Sequence, residues 1–109
     1  MDSRGGARML GAMETIGLNY DVRPERRDDF LDYARAVLAA MDGFDGHGTT
    51  RLYVDDADQN SLMIYSEWET FDKFRAFMGS DAFKQVTVDT KDMLSGRPKH
   101  TVYRVAMEH

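Results

Sequence analysis

The sequence predicts an α+β domain in which four antiparallel strands form one sheet and helices cover one face of that sheet. Two observations carry this prediction. Four segments have the alternating or β-branched character of strands, and in the two long segments between them apolar residues recur at spacings of three and four. The resulting order, strand–helix–strand–strand–helix–strand, is that of a ferredoxin-like arrangement.

Length and composition exclude several classes of function. A chain of 109 residues has room for one domain and none for a separate dinucleotide-binding domain. The absence of cysteine excludes a disulfide scaffold, a Cys-ligated metal, an iron–sulfur cluster and a thiol nucleophile. With 14 Lys and Arg against 19 Asp and Glu, the net charge of −5 argues against a nucleic acid as the main partner.

The first residues lack the pattern of the rest of the chain. We expect residues 1–12 to form a disordered arm and residues 13–109 to form the single domain. The arm has no apolar run of the kind found in secretory signals. Nowhere do about 18 apolar residues follow one another, as a membrane-spanning helix needs. We therefore predict a cytoplasmic protein with no membrane partner.

The first strand and the first helix are predicted by a change in periodicity. Apolar and polar residues alternate over Glu14–Val22, which predicts a strand with one apolar face. Pro24 ends this strand and suits the first turn of a helix. Helical spacing of apolar residues then predicts an amphipathic helix over Pro24–Met41. Gly43 follows and is available for a left-handed cap.

Three further strands are predicted from β-branched and aromatic residues. The segments Thr49–Asp55 and Ser61–Trp68 have this composition, and the short polar turn between them makes the two strands an antiparallel hairpin. The last strand is predicted over Thr101–Ala106. It follows a break in the chain that a glycine and a proline produce at residues 96 and 98.

The second helical segment is predicted to consist of two pieces. Thr70 is placed to cap the first piece, which carries a stripe of phenylalanines. A Gly-Ser pair interrupts the segment at residues 79–80, and either Ser80 or Asp81 caps a continuation that reaches Met93. The continuation contains several β-branched residues, which are poor helix formers.

Helices on one face leave the other face of the sheet bare. Depending on the register, the bare face carries Tyr53 or Leu52, and either Met63 with Tyr65 or Ile64. An apolar sheet face on a soluble protein usually marks an interface. We therefore predict a homodimer that forms face to face through the sheets.

Four stretches of the chain carry distinctive motifs. They are Gly-Phe-Asp-Gly before the second strand, Ser-Glu-Trp-Glu-Thr at the end of the third strand, Phe-x-x-Phe-x-x-Ser-x-x-Phe-Lys in the second helical segment and Leu-Ser-Gly-Arg-Pro before the last strand. They occupy residues 43–46, 66–70, 74–84 and 94–98. With these motifs the chain resembles the antibiotic biosynthesis monooxygenase family, a group of dimeric α/β-barrel proteins, and the resemblance covers residues 13 to 105, nearly the whole domain.

The resemblance implies a small-molecule site between the sheet and the helices. Family members include cofactor-independent quinol and polyketide monooxygenases, haem-degrading monooxygenases and small-molecule isomerases or binding proteins. By position, Trp68 corresponds to the Trp that the family has at the end of the third strand. Phe74 and Phe77 would then line the cavity.

Three positions depart from the patterns of these family members. This chain has Phe77 where many quinol-type members have His and haem-degrading members have Trp. Ten residues further on, Thr87 stands where haem-degrading members have the haem-ligating His. Asn19 lies near, but not at, the position of the Asn that those members have on the first strand. We therefore expect no cofactor, and no haem binding of the standard kind.

Three residues are candidate catalytic groups. Asn19 offers an amide that could hydrogen-bond a substrate carbonyl or a developing oxyanion, unless it is an ordinary polar residue at the surface or interface. Trp68 is either a core residue at a strand end or a pocket wall that stacks on an aromatic substrate. His100 would be a general base if it folds over the cavity, and is otherwise an exposed histidine. The three histidines lack the spacing of metal ligands, so no metal site is predicted.

Six more residues are candidates for substrate binding, because aromatic and thioether side chains commonly line small-molecule sites. They are Tyr20, Tyr65, Phe74, Phe77, Met78 and Phe83. Each of them also has an ordinary alternative role in packing. The tyrosines could in addition exchange hydrogen bonds with a quinol-type hydroxyl.

Functions of two kinds therefore fit the sequence. The first is a cofactor-independent monooxygenase that oxidises an aromatic, quinol-type small molecule. The second is a non-catalytic dimeric module that binds a hydrophobic or haem-like ligand, and an isomerase on the same fold is a further alternative. An open pocket with convergent Asn, Tyr or His groups would favour an enzyme. A space filled by side chains beneath Trp68 would favour a structural protein.

Overall fold

The computed structural model describes residues 13–87 and 89–108, and over these ranges it has the predicted element order. The predicted arm, residues 1–12, lies outside the described residues. No helix within the described ranges is both long enough and apolar enough to cross a lipid bilayer. The strands and helices are β1 Glu14–Asp21, α1 Arg27–Met41, β2 His47–Asp55, β3 Asp58–Trp68, α2 Phe71–Met78, α3 Asp81–Val86 and β4 Lys99–Arg104.

The four strands form one antiparallel sheet in the order β2-β3-β1-β4. β1 pairs with β3 along its whole length, from Glu14 opposite Trp68 to Asp21 opposite Ser61, and its other edge pairs with β4. β2 and β3 form the predicted hairpin. The helices cover one face of this sheet, so the predicted ferredoxin-like fold class is confirmed.

α1 packs on the sheet because its apolar residues recur at helical spacing. Its buried residues are Phe30, Ala34, Val37 and Met41. Pro24–Arg26, predicted as the first turn of this helix, forms a 3-10 turn instead. Gly43 follows the helix with a φ of 79°, a left-handed conformation that glycine adopts without steric cost.

Both pieces of the second helical segment begin at the predicted caps. The hydroxyl oxygen of Thr70 accepts a hydrogen bond from the backbone N–H of Lys73 at 3.2 Å, and that of Ser80 accepts one from Phe83 at 3.2 Å. Each bond satisfies one of the N–H groups that the first turn of a helix leaves without a partner.

The second helical segment ends earlier than predicted. The expected continuation to Met93 is wrong, because α3 ends at Val86 and Lys91–Met93 forms a separate 3-10 turn. β-branched side chains lose rotamer freedom in a helix, and they are frequent after this point in the sequence. The backbone N–H of Thr87 still bonds to the carbonyl of Phe83, which closes the last turn.

Five strand boundaries also differ from the prediction. β4 begins at Lys99 and ends at Arg104, two residues earlier than expected. Its register places His100 opposite Leu18 and Lys99 opposite Asn19. Paired residues of antiparallel strands point to the same face, so His100 lies on the helix-covered face and Lys99 on the bare face. The other three differences are that β1 ends at Asp21, that β2 begins at His47 rather than at Thr49, and that β3 begins at Asp58.

The register settles which residues lie on the bare face of the sheet. Tyr53 pairs with Met63 and Arg51 pairs with Tyr65, and all four stand on this face. Leu52 and Ile64, the alternatives, stand on the helix-covered face. Tyr53 remains 43% exposed. The homodimer through this face stays a prediction.

Candidate active site between the sheet and the helices

A cavity of about 160 Å³ lies between the sheet and the helices, beside the first residues of β4. Apolar residues from four elements form most of its wall, namely Leu18 of β1, Val37 and Met41 of α1, Met78 of α2 and Phe83 of α3. Small-molecule sites are mostly lined in this way, with a few polar groups that set the orientation of the ligand.

Two phenols and an imidazole line the same cavity. They are Tyr20 of β1, Tyr33 of α1 and His100 of β4. Pro98 and Lys99 complete the wall at the end where β4 begins. The cavity thus brings together four of the predicted site residues, Tyr20, Met78, Phe83 and His100.

Burial dominates the electrostatics of the two phenols. Desolvation raises the pKa of Tyr20 well above its ordinary value of 10.0, and the neighbouring Tyr33 phenol raises it further. Desolvation also raises the pKa of Tyr33, although hydrogen bonding with Thr87 and Tyr20 opposes this effect. Both phenols therefore keep their protons at neutral pH. Because Tyr20 is hydrogen-bonded to the Tyr33 oxygen, the Tyr33 hydroxyl is the one left to donate a hydrogen bond to an oxygen of a ligand.

Thr87 lies close enough to Tyr33 to influence its phenol. By resemblance, this is the position at which haem-degrading members of the family have their haem-ligating histidine. Haem iron in proteins is held by His, Cys, Met or Tyr side chains, and a threonine hydroxyl is not among them. In this chain Thr87 is instead hydrogen-bonded to the phenol of Tyr33, which lines the cavity.

Trp68 packs in the core. Its side chain is fully buried, and its indole N–H donates to the Ser66 hydroxyl at 2.9 Å. The ring centroids of Phe74 and Phe77 each lie 5.7 Å from the ring centroid of Trp68. None of these three aromatic residues is among those that line the cavity. The packing favours the core alternative for Trp68, and its catalytic role stays a prediction.

Asn19 and Tyr65 lie on the bare face, and neither side chain lines the cavity. The Tyr65 hydroxyl donates to the Glu67 carboxylate at 2.5 Å. Asn19 is exposed and borders a second, polar hollow of about 380 Å³. The structure therefore does not bring Asn19 together with Trp68 or His100. Other residues of the hollow are Tyr20, Asp21, Arg97, Lys99 and Thr101.

A wider hollow of about 640 Å³ runs along the loop from Asp89 to Pro98. All the residues that line it belong to this one segment. It therefore does not bring side chains from different elements to one point, as a catalytic site requires. The smaller cavity does so, and we take it as the candidate active site.

The sequence model of the antibiotic biosynthesis monooxygenase family matches residues 13–87. This match runs from β1 to the end of α3 and covers more than half of the chain. The chain belongs to this family. The predicted resemblance to this family is confirmed, and three of its four motifs lie within the matched residues.

Relatives of this family domain occur in haloarchaeal proteins. A protein of Natronomonas pharaonis named "Putative heme-binding protein" is 33% identical over 98 residues, which are 90% of this chain and 16% of that protein. A protein of Haloarcula marismortui with the same description is 34% identical over 86 residues, 79% of this chain and 13% of that protein. The chain thus spans less than a fifth of the length of the relatives it matches.

Solved structures share the fold of the family domain. A conserved protein from Methanosarcina mazei Go1 superposes with a TM-score of 0.83 and 16% identity, over 90% of this chain and 97% of that one. SnoaB, described as a cofactor-independent oxygenase from Streptomyces nogalater, superposes with a TM-score of 0.76 and 14% identity, over 89% and 96% of the two chains. At such low identity the likeness shows the fold alone.

Several wall residues of the cavity were not predicted as site residues. Val37 and Met41 belong to the apolar stripe of α1, and a stripe does not distinguish a core position from a cavity wall. Lys99 was placed before the last strand rather than in it. Tyr33 did carry a signal, because a phenol on an apolar helix face needs a polar partner once it is buried.

Proposed function

We propose that this family domain is a cofactor-independent monooxygenase that oxidises a small, quinol-type aromatic molecule in the cavity between the sheet and the helices. The observation that carries the proposal is the combination of an apolar wall with two protonated phenols and an imidazole. Tyr20, Tyr33 and His100 converge on the cavity from three different elements. A core filled by side chains would leave no open space for these three polar groups to surround.

The size of the cavity limits the substrate. An apolar protein cavity of about 150 Å³ is known to hold one benzene molecule. The cavity of this chain, at about 160 Å³, therefore fits a single aromatic ring, with larger substituents extending out at the end lined by Pro98 and Lys99. This favours a monocyclic substrate over a polycyclic one.

The residues of the cavity support a reaction in which the substrate itself supplies the electrons. Deprotonation of a ring hydroxyl gives an electron-rich anion that can reduce O₂. One oxygen atom then enters the ring, the other leaves as water, and the ring is oxidised to a hydroxyquinone. His100 is placed to accept the hydroxyl proton. Tyr33 would stabilise the ring oxyanion by donating a hydrogen bond in a low-dielectric site, and the hydrogen bond between Tyr20 and Tyr33 would hold its phenol in place.

The name of the haloarchaeal relatives raises haem as an alternative ligand, and the residues of this cavity do not fit it. A haem macrocycle is far larger than one aromatic ring. Thr87 replaces the ligating histidine, and burial favours the protonated phenols of Tyr20 and Tyr33 over the phenolate form in which a tyrosine ligates iron. A saturable Soret change on addition of haem, lost in His100→Ala, would contradict this assignment.

Oxygen uptake with a panel of substituted hydroquinones tests the proposed activity. We expect Tyr33→Phe to lower the rate about tenfold to a hundredfold, because it removes one hydrogen-bond donor from the oxyanion. Tyr103→Phe is the matched control, since Tyr103 lies on the bare face of the sheet, outside the cavity. No uptake above the uncatalysed rate would overturn the monooxygenase and leave a non-catalytic binding module. Equal rates for the two variants would remove Tyr33 from the site.

A further inference from the structure

We infer that the aromatic ligand of the cavity carries an anionic substituent, such as a carboxylate, which is bound by the segment Arg97–His100. This inference rests on the proposed function, because it uses the same cavity. It goes further in naming the chemical class of the substrate. The wall at the start of β4 carries the argument.

The segment concentrates positive charge in a chain that is acidic overall. Arg97 and Lys99 lie two positions apart and are followed by His100, whereas the chain as a whole has a net charge of −5 with histidine counted as neutral. Pro98 stands between them and fixes its own backbone φ, which limits the freedom of the segment. Cationic side chains on a restrained backbone lose less entropy when they hold an anion.

This segment borders both the apolar cavity and the polar hollow. Lys99 and His100 line the cavity, and Arg97 and Lys99 line the hollow. The register of β4 explains the arrangement. His100 pairs with Leu18 and lies on the helix-covered face, whereas Lys99 pairs with Asn19 and lies on the bare face. A ring in the cavity would therefore meet the exposed imidazole of His100 at the cavity wall and an ammonium group at the boundary with the hollow.

The hollow offers further groups suited to an anion. The Asn19 amide and the Thr101 hydroxyl can both donate hydrogen bonds to a carboxylate. Asp21 is the acidic residue among those that line the hollow, and it offsets part of the positive charge of Arg97 and Lys99. Two permanent cations against one carboxylate leave the hollow net positive. An anionic substituent is thus matched by charge, and a neutral one is not.

Binding measurements on three related compounds test this inference. The compounds are 2,5-dihydroxybenzoate, its uncharged methyl ester and unsubstituted hydroquinone, titrated without oxygen into the whole chain at low salt. We expect the carboxylate to bind about fivefold to tenfold more tightly than the ester, as charge-assisted hydrogen bonds at a partly exposed site would give. The difference should shrink as salt is raised, because salt screens such pairs.

Variants identify the residues responsible. Lys99→Gln and Arg97→Gln should each reduce the preference for the carboxylate, while Lys84→Gln, which removes a charge from the exposed side of α3, should leave it unchanged. Equal affinity for acid and ester, or a preference that survives both variants, would overturn the inference. Because the titration involves no turnover, an anionic preference without oxygen uptake would refute only the monooxygenase. Uptake without that preference would refute only this inference, and failure of all three compounds to bind would refute both.

Discussion

At the scale of single residues, Tyr20 shows how burial tunes the cavity. Only 8% of its side chain is exposed, and the Tyr33 phenol lies beside it. Both effects favour the neutral phenol, so the folded protein retains this proton at a pH where the unfolded chain releases it. The burial of Tyr20 therefore makes the stability of the fold decrease at alkaline pH.

We predict that the free energy of unfolding falls as pH rises above about 10. The unfolded chain loses the Tyr20 and Tyr33 protons near the ordinary value of 10.0, whereas both folded pKa values lie higher. Above that pH the unfolded state binds fewer protons than the folded state, so stability decreases as the pH rises. Below it the contribution is fully present.

Urea unfolding followed by circular dichroism at pH 7 and at several values above 10 measures this effect. In Tyr20→Phe the loss of stability with pH should be smaller, and the value at pH 7 separates any general effect of the substitution. A wild-type stability that stays constant or rises above pH 10 would contradict the prediction.

Trp68 shows what residue identity leaves open. A lone Trp at a strand end fits a core and a pocket wall equally well. Three neighbouring residues favour the core role. Ser66 accepts a hydrogen bond from the indole N–H of Trp68, and Phe74 and Phe77 pack around the indole ring. Such contacts depend on how the helices pack against the sheet, and the periodicity of the sequence does not specify that packing.

At the scale of elements, α3 is a short helix with a large role in the cavity. It has six residues, and its Phe83 contributes to the cavity wall and lies 5.3 Å from the Phe77 ring, between centroids. Isolated helices of this length are not stable in water, so α3 depends on its cap and its packing. Ser80 supplies the cap through its hydroxyl oxygen.

We predict that Ser80→Ala lowers the free energy of unfolding by about 1 kcal/mol, the usual cost of removing a helix N-cap. Ser80→Asp keeps an acceptor at the same place and should cost less. Urea denaturation of the two variants, measured in parallel, provides the comparison. Equal losses in the two variants would show that the hydroxyl does not act as a cap.

Sequence patterns predicted the elements better than their exact pairing. Caps at Thr70 and Ser80 were predicted because a hydroxyl before a helix satisfies local N–H groups. The start of β4 was not, because it is decided by which residues of β1 lie opposite. Because β4 starts two residues earlier than predicted, Lys99 and His100 both lie within the strand, on opposite faces of the sheet.

At the scale of the whole molecule, the bare face of the sheet remains the basis for the predicted homodimer. Tyr53 and Tyr103 lie on it at 43% and 53% exposure, together with Met63 and Tyr65. Aromatic and methionine side chains are enriched at protein interfaces. The fold predicted from the sequence leaves this face bare, and the register adds which side chains it carries.

We predict a dimer in sedimentation equilibrium at micromolar concentration. Tyr53→Glu and Tyr103→Glu, combined, should shift the protein towards monomer, because burying two added charges against a second copy is unfavourable. Lys84→Glu on α3 should have no such effect. A wild-type monomer at these concentrations would refute the face-to-face assembly.

The central claim is that the cavity between the sheet and the helices binds the aromatic ligand, and methyl NMR with hydroquinone under anaerobic conditions tests it most directly. The account predicts that the methyl signals of Leu18, Val37, Met41 and Met78 shift on titration, while that of Met63 on the bare face does not. Shifts centred on Met63, with the cavity methyls unchanged, would contradict it.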